Sequence, residues 1–231
     1  MKKHNQNNLT VVKHNHLNQA SYKLTLDERR LILSSIALIN PRNEMPAEIT
    51  IQASDYAYQW GINETNAYMQ LKEARANLFE RKIKMVINGE VDELRWVYRA
   101  KYADGQGYIK LSFSPDIKPY LSQLKSHFTS YRLTEVKSFK SGHAIRLYEL
   151  LMQFKESGWY VENLHRLKEK FGVENNYDRW VDFKKNVIDI AVKEINLNTN
   201  YQVKYDAVRR GRKINQVKFY FGLNPQADMF K

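Results

Sequence analysis

The stretch from Tyr177 to Phe221 constrains this chain most, because one hydrophobic period gives way there to another. Phe183, Val187, Ile190 and Ala191 recur at steps of three and four, the repeat of a helix buried along one side. From Tyr201 the period shortens. YQVKYDAV and INQVKFYF are rich in aromatic and β-branched residues and read as two strands, separated by a five-residue turn of Arg209, Arg210, Gly211, Arg212 and Lys213. A helix followed at once by a hairpin with a cationic tip is the pattern of a winged helix, in which the helix enters a groove and the wing touches the backbone. Between Arg179 and Lys218 ten Lys/Arg stand against four Asp/Glu, an excess of six, which is half of the chain's net charge of +12.

That net charge favours a polyanionic partner, since it creates a field that draws phosphates in. The 231 residues leave room for two domains of about 100 residues each. A hydrophobic content of 43%, with 13% aromatics, supplies real cores and excludes wholesale disorder. There is no cysteine, which rules out disulfides and thiolate metal sites and suits a reducing cytoplasm. No apolar run approaches the ~20 residues of a membrane span. The polar start MKKHNQNN offers nothing to dock and no following apolar core, so no signal peptide is expected.

Along the chain, Thr25 and Glu28 form a capping box that opens the helix LDERRLILSSIALI, which stops before Asn40-Pro41. Leucines at 17, 24, 31 and 38 have a seven-residue spacing, but the cap falls between the second and third, so they cannot share one helix and no zipper is expected. After the strand EITIQ, a helix stopped at Gly61 and a second starting near Asn63 have the layout of a helix-turn-helix. In the second helix Ala67, Leu71, Ala74 and Leu78 stack on one side. The opposite side carries Thr65, Met69, Lys72 and Ala76, flanked by Tyr68 and Arg75, and is either a groove-reading face or a solvated one. KIKMVI, an Asn88-Gly89 turn, the strand ELRWVYRAKY, a turn over 104–107 and YIKLSF follow. The middle strand puts Trp96, Tyr98, Ala100 and Tyr102 on one face and Arg95, Val97, Arg99 and Lys101 on the other, the latter read as edge protection. Ser114-Pro115 opens a helix running to about Leu124.

The second half contains a short helix near Thr134 and a longer one capped by Ser141 with Ile145, Tyr148, Leu151 and Met152 buried. YVENLHRLKEKFGV reads as a further helix ending at Gly172. The order helix, helix, turn, helix, strands thus occurs twice, with Trp60-Gly61-Ile62 and Phe171-Gly172-Val173 in the same place in each copy. The expected fold class is α+β: two tandem winged-helix domains related by duplication, over residues 1–127 and 128–231.

HFTSYRLTEVKSFKSGHAIRLYELLMQFK, the stretch from Tyr177 to Phe221, and N-terminal pieces such as ASDYAYQWGI and AYMQLKEARANLF resemble the replication initiators of iteron-carrying plasmids, the Rep family that includes the F-plasmid initiator. The run Ile145 to Leu151 is the most specific piece, and the likeness covers about Asn15 to Phe221. The resemblance implies two winged helices astride one directly repeated origin site in double-stranded DNA. It also implies recruitment of host replication proteins (initiator and helicase), a homodimer in equilibrium with the monomer, and repression of the initiator's own promoter by the dimer. Dimers of related proteins form through the first domain, which points here to the strands from Ile83 to Phe113.

From the residues alone, Arg179, Lys185 and Asn186 are candidates for base edges, since Arg and Lys fit guanine acceptors and Asn fits adenine. Lys193 shares their face, as do Asp182 and Asp189, which would repel phosphates unless they pair with cations. Lys184 lies nearer the buried side and is expected to snorkel to a phosphate. Arg209, Arg210, Arg212 and Lys213 suit phosphates or a minor groove, with Gly211 turning the tip. No enzyme and no cofactor or metal is expected. The one His-x-His, His14-Asn15-His16, has a polar middle residue unlike a nicking initiator, and neither GxxxxGK[ST] nor HExxH occurs. A transcriptional repressor of the same fold needs the same residues.

Overall fold

The computed structural model describes residues 8–224, so the expectation for the polar start falls, but for its last residue, outside them. Contacts divide the chain after Ser138, rather than after residue 127. The reason is a strand pairing: β1 (Thr10–His14) runs antiparallel to the late strand Phe128–Arg132, which ties that segment to the first unit.

In the first unit β1 leads into α1 (Asn15–Gln19) and then α2 (Leu26–Ala37). The capping box is present: Thr25 Oγ1 accepts the Glu28 N–H at 3.3 Å, and Glu28 Oε2 accepts the Thr25 N–H at 3.0 Å. The same carboxylate, fully buried, also accepts from Arg81 Nε at 2.9 Å and Nη2 at 2.8 Å. Leu17 lies on α1 and Leu31 on α2, both buried, while Leu24 and Leu38 lie outside both helices and are half-buried, so the four leucines share no helix. β2 (Ile49–Gln52) precedes α3 (Ala53–Trp60), which ends on Gly61 at φ +64°, a left-handed conformation natural to glycine. Trp60 Nε1 donates to Ser34 Oγ at 3.0 Å, and that hydroxyl donates to Gln59 Oε1 at 2.7 Å, joining α2 to α3 through satisfied buried polar groups. α4 (Glu64–Leu78) starts at Asn63, whose side chain accepts the Asn66 N–H at 2.8 Å.

The strands beyond α4 correct the sequence reading. ELRWVYRAKY is two strands: β4 (Glu90–Arg95) pairs with β3 (Lys82–Ile87), whereas β5 (Val97–Tyr102) pairs with β6 (Tyr108–Phe113) in a second sheet of order β2-β6-β5. Trp96 sits at the break. It and Val97 are both buried, which strict alternation forbids, and the register slips between Val97 and Arg99. Pro115–Tyr120 is a single 3₁₀ stretch, shorter than the helix expected there, because Pro119 removes a donor within it. β7 (Phe128–Arg132) and a 3₁₀ turn at Leu133–Val136 close the unit.

The second unit begins with α5 (Gly142–Met152), capped by Ser141, every residue from Ala144 to Met152 being buried. Instead of one helix, the next segment is β8 (Trp159–Asn163) followed by α6 (Leu164–Phe171): Tyr160 joins the core as an inward strand residue, and Asn163 caps the helix by accepting the His165 N–H at 2.9 Å. Gly172, at φ +68°, ends α6 as Gly61 ends α3. α7 (Trp180–Phe183), a π-helical turn at Lys184–Ile188 and α8 (Asp189–Asn198) form one continuous helical segment. β9 (Tyr201–Arg210) and β10 (Lys213–Leu223) complete a sheet of order β8-β10-β9. Each unit is thus a winged helix.

Glu28→Ala should destabilise the first unit by about 3 kcal/mol, because it strands the Arg81 guanidinium and the Thr25 N–H together. Thr25→Ala, losing one cap, should cost about 1 kcal/mol. Urea denaturation of the two variants checks the ratio.

Candidate nucleic-acid interface

In the first unit α4 buries Ala67, Leu71, Ala74 and Leu78, so the opposite face is the one turned outward, as the spacing predicts. Thr65 and Ala76 are exposed there, and Met69 is 61% exposed. The flanking residues are not free in water. Tyr68 Oη donates to the Ala103 carbonyl at 3.1 Å, Lys72 Nζ lies 2.8 Å from Asp104 Oδ1, and the Tyr102 ring lies under both Lys72 (4.9 Å) and Arg75 (4.2 Å). Three consecutive residues, the last of β5 and the two that follow it, therefore hold three side chains of the helix. Sequence spacing could not find this, since the partners lie some thirty positions apart.

In the second unit the helical segment corrects one core assignment. Phe183, Val187 and Ala191 are fully buried as expected, but Ile190 is 40% exposed and Ile188 takes its place inside. The π turn explains the exchange: its i→i+5 bonding places one extra residue in the turn and rotates every later side chain away from the α-helical projection. Lys185, Asn186 and Lys193 are exposed. Arg179 forms a two-pronged pair with Asp182, Nε to Oδ2 at 2.8 Å and Nη2 to Oδ1 at 2.9 Å, and Asn186 Nδ2 donates to the Asp182 carbonyl at 2.9 Å. Lys184, expected to snorkel to a phosphate, is engaged within the unit. Its ammonium is 2.8 Å from Asp189 Oδ2, above the Tyr205 ring at 5.9 Å, and Tyr205 Oη donates to the other Asp189 oxygen. Both aspartates of this face are therefore neutralised by a cation.

Those pairs set the carboxylates' titration. The Arg179 guanidinium holds Asp182 below the usual carboxylate range. Burial alone would raise Asp189, but hydrogen bonds from Lys184 and Tyr205 outweigh it and also leave that group lowered.

The wing tip is tighter than the sequence suggests. Arg210 pairs with Lys213 across the ladder, leaving a two-residue turn of Gly211 and Arg212, with Gly211 at φ +62°. Arg209, Arg210, Arg212 and Lys213 are all exposed, and among the described residues none of the four is in an ion pair. The wing tip is thus a compact knot of uncompensated cations, whereas on the helical segment Arg179 and Lys184 are matched by aspartates.

Comparison with known proteins decides the family. The model described as "Initiator Replication protein, WH1" matches residues 10–152, and that described as "Initiator Rep protein, WH2" matches residues 163–221. The chain belongs to the Rep3 family of replication initiators. It is similar to the "Replication initiation protein" of Escherichia coli, 31% identical over 96% of this chain and 72% of that one. It is also similar to the "PI protein" of Escherichia coli, at 28% identity over 93% of this chain and 83% of that one. Among solved structures, the Pi initiator protein in complex with iteron DNA matches with a TM-score of 0.80 at 25% identity, covering 95% of this chain and 99% of that one. Among the described residues of this Rep3 protein, no helix is long and apolar enough to cross a membrane.

Because both aspartates have lowered folded values, their pairs persist above the ordinary carboxylate pKa of about 3.9 and are lost only as pH falls through the lower folded values. Carboxyl NMR titration should place both midpoints below about 3.9, and Arg179→Ala should move Asp182 upward while leaving Asp189 unchanged.

Proposed function

We infer that this protein initiates plasmid DNA replication by binding directly repeated sequences, iterons, in double-stranded origin DNA, each winged helix laying a helix in the major groove. The observation that carries this reading is the second unit's design: an ordered helical face with a buttressed arginine beside an exposed, unpaired cationic wing. The likeness to a Pi initiator holding iteron DNA supports it.

The two kinds of charge take two roles. On the helices, Thr65, Tyr68, Met69, Lys72 and Arg75 in the first unit, and Arg179, Lys185, Asn186 and Lys193 in the second, face the groove. Arg179, its fork held by Asp182, suits a guanine edge, and Asn186 an adenine edge. Lys184 lies at the margin of that face. On the wing, Arg209, Arg210, Arg212 and Lys213 meet phosphates, which position the protein without reading sequence. A dimer formed through the first unit's strands from Ile83 to Phe113, in equilibrium with the monomer, represses the initiator's own promoter. Host initiator and helicase are recruited to the monomer-bound origin, in the cytoplasm of the plasmid's bacterium.

Replacing the four wing cations with alanine should lower the slope of log K against log salt by about 2 to 4, at about 0.9 per phosphate contact. Arg179→Ala should instead reduce the preference for cognate over scrambled duplex about tenfold or more. Fluorescence anisotropy at several salt concentrations measures both, and an unchanged slope in the wing variant would remove the wing from the interface. Dependence of a plasmid bearing the repeats on this protein separates an initiator from a repressor.

A further inference from the structure

The two units share an arrangement of one lysine, one tyrosine and one aspartate. In the first, Lys72 of the reading helix lies over Tyr102 of the wing strand β5 and pairs with Asp104. In the second, Lys184 of the reading helix lies over Tyr205 of the wing strand β9 and pairs with Asp189. The tyrosine in each case comes from the strand that leads into the wing, and the lysine from the helix. The aspartates come from different places: Asp104 follows the strand, whereas Asp189 follows the lysine by five residues on the helix itself. The same three-part contact is therefore built twice from different positions, and chain duplication alone does not produce it.

None of these groups is deeply buried. Lys72 is 37% exposed and Asp104 71%; Lys184 and Asp189 are 43% and 41% exposed. Exposed pairs of this kind add little to stability, being screened by water and salt. Their effect falls on the electrostatics of the interface. An ammonium held at 2.8 Å by a carboxylate presents almost no net charge to an approaching phosphate, whereas a free one releases a counterion on binding. Hydrogen bonding to the aspartate also holds each lysine firmly protonated, so the carboxylate supplies the compensation.

Resting on the reading above, we propose that Asp104 and Asp189 are specificity-setting residues: each withholds a reading-helix lysine from phosphates, suppressing sequence-independent binding while the Lys-Tyr contact fixes helix against wing. The unpaired wing cations then supply a concentrated backbone attraction at one defined place. Specific and non-specific binding are thereby separated, since only a duplex whose base edges fit the helices gains more than the wing contacts.

The test uses the full-length protein, a duplex selected by it from a random-sequence pool, and a scrambled duplex of the same composition. Asp104→Asn keeps the turn chemistry and removes the charge. It should strengthen binding to the scrambled duplex and steepen its salt slope by about 0.9, so that the affinity lost between 50 and 200 mM salt grows about three- to fourfold. The cognate preference should fall correspondingly. In a Lys72→Ala background the same substitution should leave the slope unchanged, and the pair Asp189→Asn and Lys184→Ala should behave likewise. An unmoved slope in Asp104→Asn overturns the proposal. An equal steepening with and without Lys72 also overturns it, since Asp104 would then act as a general repulsive charge. Thermal melts identify a misfolded variant, in which case Asp104→Ser takes its place. If the unmodified protein shows no salt-dependent preference for its selected duplex, the functional reading falls together with the proposal. Normal binding with an unmoved Asp104→Asn slope overturns the proposal alone.

Discussion

Each unit is organised around a helix that must satisfy two solvents at once. Along one side it buries a stripe of small and branched residues, Ala67, Leu71, Ala74 and Leu78 in the first unit and Phe183, Val187, Ile188, Ala191 and Ile195 in the second. Along the other it stays open to water. The apolar stripe anchors the helix rigidly, because close packing admits few alternative placements. The left-handed glycines at 61 and 172 stop the preceding helices and let the chain turn into the reading segments.

Charge is distributed on that frame in two grades. Lys72, Arg179 and Lys184 on the helices are matched by Asp104, Asp182 and Asp189 at salt-bridge distance, whereas the cations at the β9–β10 tip have no such partners among the described residues. A net charge of +12 could bind any polyanion. Four uncompensated cations gathered in a two-residue turn and its flanks add a local attraction to that diffuse one. The pairs on the helix also orient. A guanidinium gripped at two of its three nitrogens by Asp182 has few conformations left, so little is lost when it meets a base.

Where reading the sequence succeeded, the information was local. The Thr25–Glu28 box, the Gly61 and Gly172 stops and the α4 stripe rest on side chains within four residues of one another, and the same interactions occur in the folded protein. It failed where a non-local contact overrode a local pattern. Trp96 looked like one step in an alternating strand, but burial of both Trp96 and Val97 splits that strand between two sheets. Ile190 looked like a core residue until one widened turn rotated it outward. Phe128–Arg132 looked like the start of the second domain, yet its partner strand, Thr10–His14, lies more than a hundred residues earlier.

The sequence by itself determined that there are two winged helices, which helical faces are apolar, and that positive charge gathers at one hairpin, because periodicity, caps and composition are properties of neighbouring residues. Only the tertiary structure decided which of the cations on those faces are free. Lys72 meets Asp104, and Lys184 meets Tyr205, across distances in the chain that no periodic rule spans. Such pairings depend on where the wing strands lie against the helices, and that position is set by packing of the whole unit.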